Sequence, residues 1–318
     1  MPEKVLVTRE IPSAGLRALE PFDVRVLHER PPERGELLDA VRGVSGVLST
    51  ATEKMDGELM DAAGEDLKVI ANMAVGYDNV DVEASAERGI VVTNTPGVLD
   101  ETTADVAFML LLAAARRLGE GERLLRAGRW EWWGPKQLMG RDVGGKRLGI
   151  VGFGRIGQAV ARRARGFGME VLYHNRSRKE EAEQELGARY VEFDELLETV
   201  DFVSVHTPLT DETHHLIGPK ELGRMKPTAV LVNTSRGPVV DEAALADALA
   251  AGRIFAAGLD VYEEEPKVHP KLLELENVVL APHIGSASVE TRDRMAALAA
   301  ENLAAVLRGE DPKTPVNG

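Results

Sequence analysis

Short apolar runs alternate with helical patterns along almost the whole chain, and that alternation restricts the fold more than any other feature. In the first half the β-rich runs are KVLVTRE (4–10), DVRVLHE (23–29), VSGVLST (44–50), LKVIANMA (67–74) and IVVTNT (90–95). Helical stretches lie between them at 13–20, 33–43, 56–63 and 81–89. Buried strands separated by short helices indicate βαβ units, whose right-handed crossovers cover both faces of a parallel sheet. A second series begins at Arg147, with strands at 147–152, 170–175, 188–191, 201–207, 229–235, 255–261 and 277–283. Between the series, residues 101–119 are apolar nearly all round. This predicts a buried helix that Asp100 or Thr102 can cap and that continues to Trp130. Residues 287–308 read as one amphipathic helix. There is no short-period repeat, so the echo is at the scale of domains. The expected fold class is α/β with two doubly wound parallel-sheet domains, which 318 residues can fill.

The second series opens on Gly152-Phe153-Gly154-Arg155-Ile156-Gly157, a GxGxxG between an apolar strand and a helix. In that context Gly152 allows the tight turn, Gly154 lets backbone approach a pyrophosphate, and Gly157 lets the helix pack on the strand. The helix start then offers unpaired N–H groups and a positive dipole end to the phosphates. An NAD-binding chain carries an acid about 20 residues on. Here the next strand ends His174-Asn175-Arg176-Ser177-Arg178-Lys179, with no carboxylate. Arginine can pair with a 2′-phosphate and Ser177 can donate to it, so NADP(H) is expected over NAD(H).

Three further polar residues stand near strand C-terminal ends, the edge at which open α/β sheets bind ligands. They are Arg236 in AVLVNTSRG, Glu265 in LDVYEEEP and His283 in VVLAPHIGSAS. Arginine presents a planar fork that suits a carboxylate. A histidine with a carboxylate partner has a fixed tautomer and suits proton transfer to a developing alkoxide.

Composition narrows the partners. Lys+Arg total 38 against 52 Asp+Glu, a formal charge of −14, which disfavours nucleic acid and anionic membranes. The absence of cysteine excludes disulfides, thiol nucleophiles and thiolate metal sites. His214 and His215 are adjacent and cannot share a helical face, so no metal is expected. Arg162, Arg163 and Arg165 read as a solvated face. The N-terminus has no signal-like apolar region, and the run Val106 to Ala115 is too short to span a bilayer. A cytoplasmic location is the expectation.

Taken together, NMAVGYDN (72–79), TNTPGVLDETTADVAFMLLL (93–112), GKRLGIVGFGRIGQ (145–158), VNTSRGPVVDEAAL (232–245), AAGLDVYEEEP (256–266) and APHIGSAS (281–288) resemble the D-isomer-specific 2-hydroxyacid dehydrogenase family. The likeness spans the chain and is strongest to the glyoxylate/hydroxypyruvate reductase branch. It implies a Rossmann nucleotide domain, 99–286, inserted into a flavodoxin-like substrate domain, 1–98 and 287–318. It also implies that Arg236 binds the substrate carboxylate or carbonyl, and that Glu265 orients His283 as proton donor. Backbone N–H groups at Val75 and Gly76 would hold the carboxylate. Thr103, Thr234, Ser235, Asp260 and Gly285 would line the coenzyme site with the glycine loop. The resemblance further implies a homodimer in which Trp132 or Trp133 reaches the partner's substrate pocket. Two rivals remain: a sister dehydrogenase of phosphoglycerate, phosphonate or D-lactate type, and a nucleotide-sensing, corepressor-like binding protein.

Overall fold

The two series of strands form two separate sheets. The computed structural model describes residues 2–317. The chain divides into one unit of Met1–Leu99 with Ala287–Gly318 and another of Asp100–Ser286.

The first unit runs β1 (Lys4–Val7), α1 (Ser13–Leu19), β2 (Asp23–Val26), α2 (Arg34–Ala40), β3 (Gly46–Ser49), α3 (Gly57–Ala63), β4 (Val69–Asn72), α4 (Val82–Glu87) and β5 (Val91–Thr93). Its strands pair in parallel in the order β2-β1-β3-β4-β5, the flavodoxin-like order. Asp56 and Asp81 cap α3 and α4 by accepting from Leu59 N and Ala84 N. The other unit runs α5 (Asp100–Ala115), α6 (Leu118–Arg126), β6 (Arg147–Val151), α7 (Arg155–Gly166), β7 (Glu170–His174), α8 (Glu180–Leu186), β8 (Arg189–Tyr190), α9 (Phe193–Thr199), β9 (Phe202–Val205), α10 (Pro219–Arg224), β10 (Val230–Asn233), α11 (Glu242–Ala250), β11 (Ala256–Leu259), α12 (Pro270–Glu274) and β12 (Val278–Leu280). Its parallel sheet has the order β12-β11-β10-β9-β6-β7-β8, and the sense in which successive strands are added reverses between β6 and β9. This is the dinucleotide-binding order with one further strand. The chain then returns to the first unit as α13 (Val289–Leu307), which packs on α1 and on β3, β4 and β5.

Successive strand residues fill opposite faces of the second sheet. Ile150, Tyr173, Val230 and Val232 join the core under α5 and α7, whereas Val151, Leu172 and Leu231 join the core under α9 and α11. Each large side chain so buried contributes about 1.5–3 kcal/mol. No helix of the described residues is long and apolar enough to cross a membrane.

The structure departs from two sequence expectations. The helix does not continue from 101 to Trp130. Arg141 N–H takes the Ala115 carbonyl at 2.8 Å, removing it from the i→i+4 ladder, and Arg117 turns left-handed at φ 53° before α6 starts. Nor is the arginine cluster of α7 merely solvated. Arg163 donates to Glu101 and Asp105 of α5 at 2.8 and 2.6 Å, and Arg162 donates to Glu101 at 2.6 Å. These ion pairs tie the two helices together.

Candidate active site

Four strands of the second unit deliver polar residues to one edge of their sheet. After β12 the chain reaches His283 in a left-handed conformation, φ 54°, which costs a non-glycine residue of order 1–3 kcal/mol. Neighbours on both sides hold it there. Tyr262 hydroxyl donates to Ala281 O at 2.9 Å, while Asp260 accepts from Ile284 N and Gly285 N, each at 2.7 Å. Burial pushes the Asp260 carboxyl up, and the two N–H groups only partly oppose that. The His283 Nδ1 lies 2.7 Å from Glu265 Oε2. An ionised carboxylate only accepts, so Nδ1 carries the proton and Nε2 faces away as the exchangeable position. The second carboxylate oxygen accepts from Tyr262 N at 3.1 Å. Burial raises the Glu265 carboxyl, but His283, the Tyr262 N–H and the Arg236 charge outweigh it and hold it below the usual carboxylate range.

Glu265 closes an acidic run whose members have different partners. Glu263 and Glu242 bond reciprocally: Glu242 N donates to Glu263 Oε1 at 2.7 Å, and Glu263 N donates to Glu242 Oε2 at 2.8 Å. Glu264 is exposed and 3.9 Å from Lys267. Only Glu265 turns to the histidine.

Arg236 sits in a turn built by Asn233, the last residue of β10. Asn233 Oδ1 accepts from Ser235 N at 3.0 Å and Ser235 Oγ at 2.8 Å, and its Nδ2 donates to Arg236 O at 2.9 Å. A side chain at Gly237 would collide with the backbone of Tyr262 and Glu263. That close approach brings Arg236 to the loop of Glu265.

The glycine loop fits a dinucleotide. Gly152 has φ 93°, and a Cβ there would lie 2.7 Å from the His206 carbonyl carbon. A Cβ at Gly157 would strike the Gly152 carbonyl, whereas one at Gly154 would meet nothing within 4 Å. Gly154 therefore borders open space at the start of α7, whose first turn has no side-chain cap. The orphaned buried hydroxyl of Thr234 and the buried Nδ1 of His206 lie at the ends of β10 and β9, on the same edge. These observations fit a coenzyme with phosphates on the α7 start. Arg155 and Ile156 open that helix. Phe153 contributes backbone alone, because its ring is buried and stacked on Tyr173 at 4.0 Å. Asn175 braces the loop, accepting from Phe153 N at 3.1 Å and donating to Ser177 O at 2.8 Å. Arg176 and Ser177 are exposed beyond it. Arg178 does not stand with them: it pairs with Glu183 at 2.7 Å, so its charge is already neutralised. Thr103 is buried near Gly285 and Asp260; a Cβ on Gly285 would lie 3.4 Å from Thr103 Cγ2.

Val75 and Gly76 belong to the first unit, in the turn after β4. Trp132 and Trp133 lie in the irregular stretch between α6 and β6 and are 68% and 76% exposed. Sequence reasoning missed Asn233, Tyr262 and His206. Asn233 has a readable signal, an amide ending an apolar strand just before a candidate arginine. Tyr262 has none, because its carbonyl partner is 19 residues away.

A glycine loop, an arginine and a histidine–carboxylate pair on one edge of a dinucleotide-type sheet define an NAD(P)-dependent dehydrogenase. The family model "D-isomer specific 2-hydroxyacid dehydrogenase, NAD binding domain" matches residues 108–285. A glyoxylate reductase of Thermococcus litoralis is 54% identical over 323 aligned residues, covering 100% of this chain and 97% of the relative. Among solved structures, a Thermus thermophilus protein superposes with TM-score 0.93 at 49% identity, over 98% of this chain and 99% of that one. The NADPH-dependent glyoxylate/hydroxypyruvate reductase of Sinorhizobium meliloti, solved with NADP and malonate, gives TM-score 0.87 at 40% identity, over 99% and 97%. The chain belongs to the D-isomer-specific 2-hydroxyacid dehydrogenase family and is an NAD(P)-dependent enzyme of that class.

Proposed function

We propose that the protein reduces glyoxylate and hydroxypyruvate to glycolate and D-glycerate and prefers NADP(H) to NAD(H). The observation that carries the reading is the His283–Glu265 pair with Arg236 against its loop, in a chain 54% identical end to end to a glyoxylate reductase. Residues 99–286 hold the coenzyme, and residues 1–98 with 287–318 hold the substrate. A bound nicotinamide supplies the hydride. Arg236 and the N–H groups of Val75 and Gly76 bind the substrate carboxylate and orient the keto carbon. His283 Nε2 gives its proton to the keto oxygen as negative charge develops there, and Glu265 stabilises the ring through Nδ1. Thr103, Thr234, Ser235, Asp260 and Gly285 line the coenzyme site.

The coenzyme preference is supported by the end of β7, where Arg176 and Ser177 are exposed and no carboxylate stands to repel a 2′-phosphate. A homodimer is supported by α6 and the stretch after it. Leu118, Leu125, Trp130, Trp132, Trp133 and Met139 are all more than half exposed, which a second copy of the chain would cover. Trp132 or Trp133 shapes the partner's substrate pocket.

Steady-state NADPH oxidation tests the reading. With glyoxylate and hydroxypyruvate, kcat/KM should exceed that with pyruvate, and NADPH should outperform NADH. Arg176→Ala should cut the NADPH preference about 10-fold or more. His283→Ala should abolish most turnover while NADPH still binds. Wild-type preference for NADH, or full turnover by His283→Ala, defeats the corresponding part.

A further inference from the structure

Three consecutive carbonyls in the turn after β4 are gripped on one side. Thr95 N donates to Ala74 O at 2.8 Å, Asn94 Nδ2 to Val75 O at 2.8 Å, and Asn72 Nδ2 to Gly76 O at 3.0 Å. A trans peptide holds its C=O and its N–H on opposite sides of one rigid plane. Fixing the Val75 carbonyl therefore fixes the direction of the Gly76 N–H, and fixing the Gly76 carbonyl fixes that of Tyr77. The N–H groups of Val75, Gly76 and Tyr77 have no acceptor among the described residues.

The two asparagines are themselves braced. Asn72 is fully buried, accepts from Ser49 Oγ at 3.2 Å and donates to Asn79 Oδ1 at 3.2 Å. Asn79 in turn donates to Thr50 O at 3.0 Å and Glu53 O at 2.9 Å. The Asn94 carbonyl accepts from Thr314 Oγ1 at 2.6 Å. We propose that Asn72 and Asn94 are positioning residues that hold the Gly76 and Tyr77 N–H groups in register for the substrate carboxylate. This rests on the keto-acid reading above and adds the Tyr77 N–H to the donors. The physical gain is preorganisation: donors already aimed need no reorientation when the anion arrives.

Two measurements test it. In the first, Asn72→Leu and Asn94→Leu should each raise KM for glyoxylate about 10-fold or more, the weight of one aimed charge-assisted donor. The NADPH dissociation constant should stay within about twofold. Asn317→Ala removes an amide of the same unit that bonds Ile90 O and Ser85. It should lower Tm yet leave KM unchanged, which separates positioning from bulk stability. If Asn72→Leu does not fold, the half-buried Asn94 carries the comparison. KM values like that of Asn317→Ala overturn the proposal.

The second measurement needs no turnover. The chain has four tyrosines, so labelling with 15N-tyrosine gives four amide signals, and Tyr77→Phe identifies one. Adding oxamate to the NADPH-bound protein should move the Tyr77 signal in the wild type and not in Asn72→Leu. A Tyr77 signal that oxamate leaves in place in the wild type overturns the proposal. A wild-type signal that moves in a protein reducing no 2-keto acid defeats the activity reading and leaves the positioning role standing.

Discussion

Burial pushes the His206 imidazole down to about 3, while an unfolded histidine takes up its proton near 6.5. Above 6.5 the ring is neutral in both states and contributes nothing to the pH dependence. Between about 6.5 and 3 the unfolded chain binds a proton that the folded chain refuses, so stability falls as pH falls, by at most about 1.4 kcal/mol per unit. His206→Asn should flatten that limb; urea midpoints from pH 7 to 4 measure it, and superimposable slopes for variant and wild type refute it. At this scale the sequence offered candidate residues but not their partners. Arg236, Glu265 and His283 were readable because a cation, a carboxylate and a histidine stood at strand ends. What separates Glu265 from Glu263 was not readable. It depends on Glu242, 21 residues away, taking Glu263, and on Tyr262 and His283 taking Glu265. The same holds for Arg178, which was expected beside Arg176 and is bound by Glu183.

Among the elements, β6, the glycine loop and α7 separate two uses of glycine. A Cβ at Gly157 would meet backbone of the same loop, so α7 would have to move off β6. Gly157→Ala should therefore lose about 1–3 kcal/mol of stability and weaken NADPH binding as well. Gly154 faces open space, so Gly154→Ala should keep Tm within a degree or two and still weaken NADPH binding. Thermal unfolding and fluorescence titration on both variants check the contrast, and equal losses of Tm would contradict it. Strands and amphipathic helices were legible because a period of two or 3.6 is a local property. The end of α5 was not. It is set by a backbone N–H from residue 141, which no pattern at 115–117 announces.

Across the whole molecule, each unit has its own sheet and its own core. Calorimetry should resolve two transitions, and NADPH should raise only that of Asp100–Ser286. At 100 times its dissociation constant the coenzyme adds about 2.7 kcal/mol, roughly 5–10 °C for a unit of that size. A single transition that moves as one would count against this. The net charge of −14 argues against polyanionic bulk partners but says nothing of the field at the site. An acidic chain can still bind two anions when the start of α7, Arg176 and Arg236 supply local positive potential.

The return of the chain to the first unit also sets an order of assembly. The strands of the first sheet all precede residue 94, yet the helix that covers β3, β4 and β5 lies at 289–307, after the entire second unit. Met295, Ala296, Ala299, Ala300 and Leu303 of that helix are buried. On a ribosome, the second unit is therefore complete while the first still exposes an apolar face. The last-made helix closes the first-made sheet, and until it emerges that sheet is the part of the nascent chain most in need of protection from aggregation.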